Sequence, residues 1–340
     1  MTPQSIVSNL GQLRRVARIS DSDGWIRVAA IDHPEPYKLL FDSDLSAVGH
    51  DEVVESKLEL IEAMAPHSTA VLLDPATSLA QAIAGGALPG DVGLISGIEE
   101  LYHAPDTSPT GFDLELTLKP GWGPAKLAAV GCDAVKLVIF HRHDDPDDVQ
   151  ERNHGIVSEV AAECTTLQLP LVLEPLWYPR EGESLDDPAV QDVRTASVIS
   201  SAGSYRRAGG DIMKMEFPTV IGTEHGQAGA AAACEAMDAE VDGPWVLLSA
   251  GVTFDGFARQ LEIGAKAGAI GFMAGRAIWG DAVGRHPAEV REKGCRQATE
   301  RLDRLAEIMA EHGTQRRTIR PSAEAARGIG PDWYEGVLNG

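Results

Sequence analysis

In Asp211-Ile212-Met213-Lys214-Met215-Glu216-Phe217-Pro218 the side chains alternate with a period of two. As a β-strand, this stretch puts Ile212, Lys214 and Glu216 on one face and Met213 and Met215 on the other. If the methionines meet a layer of helices, Lys214 faces the inside of the sheet. Working outward, seven more short apolar runs stand at 25–31, 69–73, 92–95, 134–140, 171–173, 245–248 and 269–273. Most are near-continuous, as parallel strands covered on both faces should be, and helical patterns such as 53–64 and 257–267 lie between them. Eight strands alternating with helices predict an α/β fold, the (β/α)8 or TIM barrel. The rival, an open doubly wound sheet, usually carries a GxGxxG turn after its first strand, and Ala30-Ile31-Asp32-His33-Pro34 is not one.

The length suits this reading, because 340 residues fit one barrel with extensions. We expect a single domain over 1–312, with helical extensions at both ends. The C-terminal helix spans 287–312, where Leu302, Leu305 and Met309 fall at helical spacing. Residues 313–340, polar until Trp333 and Tyr334, form an arm on a neighbouring subunit of a homo-oligomer or a partly ordered tail.

Charge narrows the function. With 29 Lys and Arg against 51 Asp and Glu, the chain carries a formal −22, which repels nucleic acid and anionic membranes. An anionic small molecule would need a local cationic site. Cys132, Cys164, Cys234 and Cys295 lie far apart with no CxxC pair, so reduced structural thiols are expected. No apolar h-region opens the chain and no run reaches membrane-spanning length, so a cytoplasmic location is expected.

Barrel enzymes place their chemistry at the C-terminal ends of the strands. There the apolar runs close on Asp32, Asp74, Glu174 and Ser249, while Lys136 and Lys214 sit within strands four and six. An ammonium inside a barrel costs several kcal/mol unless it is paired or gives up its proton. Apolar walls and a nearby cation both lower a lysine pKa, and a neutral amine is the nucleophile that attacks a ketone. Glu174, before Pro175, could relay the protons of such imine chemistry. The plainer alternative is a structural ion-pair network among Lys136, Lys214, Asp32, Glu174 and Glu216.

Ser249-Ala250-Gly251 and Ala274-Gly275-Arg276 are glycine-containing turns after strands seven and eight, where barrels commonly hold phosphate. Glycine lets backbone N–H groups approach an anion, and Arg276 adds a guanidinium fork. His141-Arg142-His143-Asp144-Asp145 resembles a ligand cluster but reads better as a solvated loop. Arg142 could touch the distal end of a substrate. Asp74-Pro75 starts a turn or helix as readily as it serves a site. Two other readings stay open: a metal-dependent lyase or isomerase with His33, His141 or His143 as ligands, and a non-catalytic sugar-phosphate sensor.

Taken in order, Ala30-Ile31-Asp32, Val71-Leu72-Leu73-Asp74-Pro75, Asp133-Ala134-Val135-Lys136, Leu173-Glu174-Pro175, Lys214-Met215-Glu216-Phe217-Pro218, Leu248-Ser249-Ala250-Gly251-Val252 and Gly275-Arg276-Ala277-Ile278-Trp279 resemble the class I tagatose-1,6-bisphosphate aldolase family. That family includes sulfofructose-phosphate aldolases, and the resemblance runs from Ala29 to about Ala282. It implies a (β/α)8 fold, no metal, and an imine on Lys214 with Glu174 and Lys136 as catalytic neighbours. It also implies that Asp32 lies by the substrate hydroxyls, while Ser249, Gly251, Gly275 and Arg276 hold the phosphate of a dihydroxyacetone phosphate half. Two places differ or lean. The family often continues with Gln-Arg after the aspartate, where this chain has His33-Pro34-Glu35-Pro36. The loop from Glu174 through Trp177, Tyr178 and Arg180 looks closer to the sulfosugar branch.

Overall fold

The computed structural model describes residues 9–103, 114–317, 319, 326–327 and 329–336. Among the described residues ten strands are present: β1 (Ile26–Ile31), β2 (Ala70–Leu73), β3 (Gly93–Gly97), β4 (Glu99–His103), β5 (Leu114–Leu118), β6 (Ala134–Phe140), β7 (Leu171–Leu176), β8 (Ile212–Met215), β9 (Trp245–Leu248) and β10 (Gly271–Ala274). Eight of them, in the order β1-β2-β3-β6-β7-β8-β9-β10, close a parallel barrel. The ring shuts because β1 pairs on both sides, Ile26 with Gly271 and Val28 with Ala70.

All eight apolar runs of the sequence became barrel strands. β4 and β5 were not anticipated. They form an antiparallel hairpin between β3 and β6, followed by only a short helix, Pro124–Ala129. The third βα unit therefore carries a ribbon and a six-residue helix where the fourth carries the 21-residue helix Asp147–Leu167.

Strand interiors are hidden on both faces, as the unbroken burial of β2, β8, β9 and β10 shows. Helices His50–Met64, Asp147–Leu167, Pro188–Ala208, Glu224–Val241 and Phe254–Ala267 form the outer layer. Their starts are marked by local chemistry. Thr223 Oγ1 accepts from Gly226 N, Thr253 Oγ1 from Gly256 N, and Asp187 from Ala189 N with Pro188 at the first helical position. These starts sit at the end of the barrel where the strands finish.

The opposite end is sealed by helix Leu10–Arg18. Arg18 Nη2 donates to the carbonyls of Gly90 and Val92 just ahead of β3. Arg15 Nη1 donates to Leu167 O and Gln168 O, the orphan carbonyls at the end of Asp147–Leu167. The long helix Ala288–His312 buries Ala298, Leu302, Leu305, Ile308 and Met309 on one stripe. Beyond it, Arg317 reaches Asp242 at 2.8 Å and Asp238 at 3.4 Å, fixing the chain to the end of Glu224–Val241. Parts of 313–340 lie outside the described residues. Of what is described there, Trp333 and Tyr334 are exposed.

Cys132, Cys164 and Cys234 are buried free thiols and Cys295 is half-buried. Among the described residues no helix is long and apolar enough to cross a membrane.

Candidate active site

The register of β7 and β8 aligns Leu173 with Met213, so Glu174 stands opposite Lys214. On the other side β6 aligns Val138 with Glu174 and Lys136 with Val172. Lys136 thus points inward two residues below Glu174, and its long side chain rises to the same level. Asp32, the residue after β1, closes the group from across the barrel. Lys214 Nζ lies 2.9 Å from Glu174 Oε1. Lys136 Nζ lies 3.1 Å from Glu174 Oε2, 3.1 Å from Asp32 Oδ2 and 2.5 Å from Glu99 Oε1.

Glu99 was missed in the sequence. It opens β4, two residues past the end of β3, and only knowledge of the hairpin would have drawn attention to it. With it, three carboxylates surround the Lys136 ammonium, which hydrogen-bonds to Asp32 and Glu99 and pairs by charge with Glu174, while Lys214 has one.

This group is nearly dry, with side chains ranging from 5% exposed at Lys214 to 11% at Asp32. Burial alone would make Glu174 hard to ionise, but Lys136 and Lys214 outweigh it and hold its carboxyl below the usual range. For Asp32 burial is likewise overcome, by Lys136, His33 and Lys214, and its pKa is also lowered. For Lys136 burial is overcome by Glu174, Glu99 and Asp32, so its ammonium form is strongly favoured.

Glu216 does not join them. β8 ends at Met215, the alternation breaks, and the Glu216 carboxylate turns to Arg194 on helix Pro188–Ala208 at 3.2 Å and to Trp177 N at 2.7 Å. Both its oxygens are committed away from Lys214. Asp74 is the turn former that its Pro75 suggested: it accepts from Ala76 N and Thr77 N. It also takes the fully buried Lys57 Nζ at 2.5 Å. Lys57 went unnoticed in the sequence because it lies within a helical pattern.

At the adjoining strand ends, Gly275 N approaches Ser249 Oγ at 3.4 Å. Gly251 adopts φ +73°, a conformation that favours glycine, and a Cβ there would meet Arg276 Nη2 at 3.2 Å. Arg276 itself is exposed. None of the ion pairs among the described residues involves it. Ser249, Gly251, Gly275 and Arg276 thus gather on one rim, next to the lysine pair.

Arg142 differs from its expected part. It is 1% exposed, and its guanidinium is spent on Asp144 at 2.8 Å, Glu183 at 2.7 Å and the carbonyl of Tyr178. It staples the β6 loop to the loop after β7. His141 and His143 point to hydroxyls of helix Pro188–Ala208, Ser200 at 3.2 Å and Ser197 at 2.9 Å. His33 lies instead beside Asp32, with Nδ1 3.5 Å from Oδ1. The three histidines therefore do not meet at one point.

A family model described as DeoC/LacD family aldolase matches residues 28–281. The chain is 28% identical over 296 residues to tagatose 1,6-diphosphate aldolase 2 of Streptococcus mutans, covering 82% of this chain and 86% of that one. It is 26% identical over 327 residues to tagatose 1,6-diphosphate aldolase of Streptococcus agalactiae, covering 88% and 96%. Among solved structures, fructose-bisphosphate aldolase from Slackia heliotrinireducens superposes with a TM-score of 0.62 at 14% identity, over 92% of this chain and 89% of that one. An archaeal fructose-1,6-bisphosphate aldolase with its catalytic lysine bound to a carbinolamine gives 0.55 at 16% identity, over 88% and 99%. The structural likenesses speak for the barrel. Membership rests on the family match, which spans every strand that carries the ionisable cluster: the chain belongs to the DeoC/LacD family of aldolases, which are carbon–carbon lyases.

Proposed function

We propose that the chain reversibly cleaves a ketose 1-phosphate or 1,6-bisphosphate, of the tagatose 1,6-bisphosphate or 6-deoxy-6-sulfofructose 1-phosphate type, to dihydroxyacetone phosphate and an aldehyde. Lys214 attacks the C2 ketone, and the carbinolamine loses water with Glu174 carrying the protons. Glu174 then takes the proton of the C4 hydroxyl as the C3–C4 bond breaks. The iminium accepts the electron pair, the aldehyde leaves, and the enamine is protonated at C3. Hydrolysis of the imine frees dihydroxyacetone phosphate and returns Lys214.

The observation that carries this reading is the unequal pairing of the two lysines. Lys136, held by three carboxylates, is a fixed cation whose work is to keep Asp32 and Glu174 ionised. Lys214 touches one carboxylate, and that carboxylate is placed to remove its proton. Ser249, Gly251, Gly275 and Arg276 would receive the C1 phosphate, supplying the local positive site that a chain of −22 requires.

Borohydride added with a ketose phosphate should trap a secondary amine on Lys214, located by peptide mass. Label elsewhere, or none in an active sample, would refute the assignment. Product formation from tagatose bisphosphate, fructose bisphosphate and sulfofructose phosphate, measured side by side, identifies the substrate type.

A further inference from the structure

Two buried polar atoms at the end of β1, Asp32 Oδ1 and His33 Nδ1, have no hydrogen-bond partner among the described residues. They lie 3.5 Å apart. Buried polar atoms are rarely left unmatched, and two side by side at the wall of a site invite a ligand group.

The His33 ring is held firmly. Its backbone carbonyl accepts from Lys57 Nζ at 3.2 Å, and Lys57 is anchored in turn by Asp74. The ring stands edge-on to Trp279, with centroids 5.7 Å apart. It also fills the space above Gly275, where a Cβ would come within 2.7 Å of Cε1. One side of the ring therefore abuts the glycine that precedes Arg276, and the other abuts Asp32, which reaches Lys136. Both Lys214 and Arg276 are close enough for their charges to act on it.

We propose that His33 and Asp32 jointly bind the C3 hydroxyl of the ketose, making His33 the residue that selects donors carrying that hydroxyl. This rests on the reading of Lys214 as the imine residue and Arg276 as the phosphate ligand. With phosphate on C1 and the imine at C2, a pair that flanks both faces the next carbon. A hydroxyl both gives and accepts a hydrogen bond. Ionised Asp32 can only accept, and an imidazole with its proton on Nδ1 can give. Burial, with Lys214, Arg276 and Lys136 adding to it against Asp32, brings the His33 pKa down to about 4. The ring is therefore neutral near pH 7 and offers one N–H.

The test compares two ketones that differ only in this hydroxyl, dihydroxyacetone phosphate and hydroxyacetone phosphate, by the concentration giving half-maximal borohydride trapping on Lys214. The wild type should need roughly 10- to 100-fold more of the deoxy ketone, the cost of leaving a buried polar pair unmet. In His33→Phe, which keeps a flat ring, the ratio of the two concentrations should shrink toward one, with the thermal unfolding midpoint serving as the check on folding. His33→Asn, which retains an N–H, should keep more of the preference than His33→Phe. A wild type indifferent to the hydroxyl, a ratio unchanged in His33→Phe, or equal weakening of both ketones would each overturn the inference. Trapping absent from the wild type would overturn the Lys214 reading and this inference with it, whereas trapping with an unchanged ratio sinks the inference alone.

Discussion

Lys214 and Lys136 rest on opposite oxygens of one carboxylate, 2.9 Å from Glu174 Oε1 and 3.1 Å from Glu174 Oε2. Through that shared group the caged cation acts on the reactive one without touching it. The two lysines should therefore fail differently. Lys214→Met is expected to abolish both cleavage and borohydride trapping. Lys136→Met should still be trapped on Lys214, but turn over on the order of 10²–10⁴-fold more slowly, because Glu174 loses the charge that keeps it ionised. Equal loss of trapping in both variants would contradict the division of roles.

Glu174→Gln keeps the shape but turns one of the two oxygens that face the lysines into an N–H donor, and it cannot carry a proton. A kcat fall of about 10²–10⁴-fold is expected. Slow accumulation of adduct should remain visible by mass when the variant is left with a ketose phosphate and reduced. Wild-type turnover in this variant would remove Glu174 from the mechanism.

Arg276 is exposed and enters none of the ion pairs among the described residues, so Arg276→Ala should leave thermal unfolding within a degree or two. The same change should raise KM for a phosphorylated ketose roughly 10- to 100-fold, in line with about 1.5–3 kcal/mol for a hydrogen bond to a charged group. An unphosphorylated ketose should show no such change. A uniform effect on both substrates would argue against a phosphate ligand.

Lys57 and Asp74 make a buried pair outside the reacting group. Removing one partner leaves a buried charge, so Lys57→Met alone should destabilise the fold by about 3–5 kcal/mol. Pairing it with Asp74→Asn should recover part of that loss in a denaturant titration. Additive losses in the double variant would show that the contact carries no coupling.

His141 is buried, and burial, then His154 and His143, pull its pKa down from 6.5 to about 4 against a smaller opposing effect of Asp144. The unfolded chain thus binds a proton between those two values that the folded chain refuses. Stability from this group is fully present above pH 6.5 and is lost as pH falls toward 4. His141→Asn should flatten that part of the stability curve, measured by urea midpoints at successive pH values.

Much of this was legible in the residues themselves. The eight barrel strands show as apolar runs because parallel strands hidden on both faces leave no polar period to confuse them. Lys214, Lys136, Glu174 and Asp32 stand out because charge inside or at the end of such a run is costly and therefore conspicuous. What escaped notice shares one cause. Glu99 and Lys57 sit in a hairpin and a helix, where charged residues are ordinary, and only tertiary contact gives them meaning. Glu216 misled because strand alternation was carried one residue past the true end of β8. Arg142 misled because a buried guanidinium surrounded by Asp144 and Glu183 reads, in sequence, like any surface loop.

Arg276 also bears on how an anion arrives. A chain of −22 opposes a phosphate from afar, and one uncommitted guanidinium helps only within the last few ångströms. At an ionic strength near 0.15 M the distant opposition fades beyond about 8 Å. Added salt should therefore quicken capture of a sugar phosphate, the reverse of the trend in enzymes whose surface field draws the ligand in.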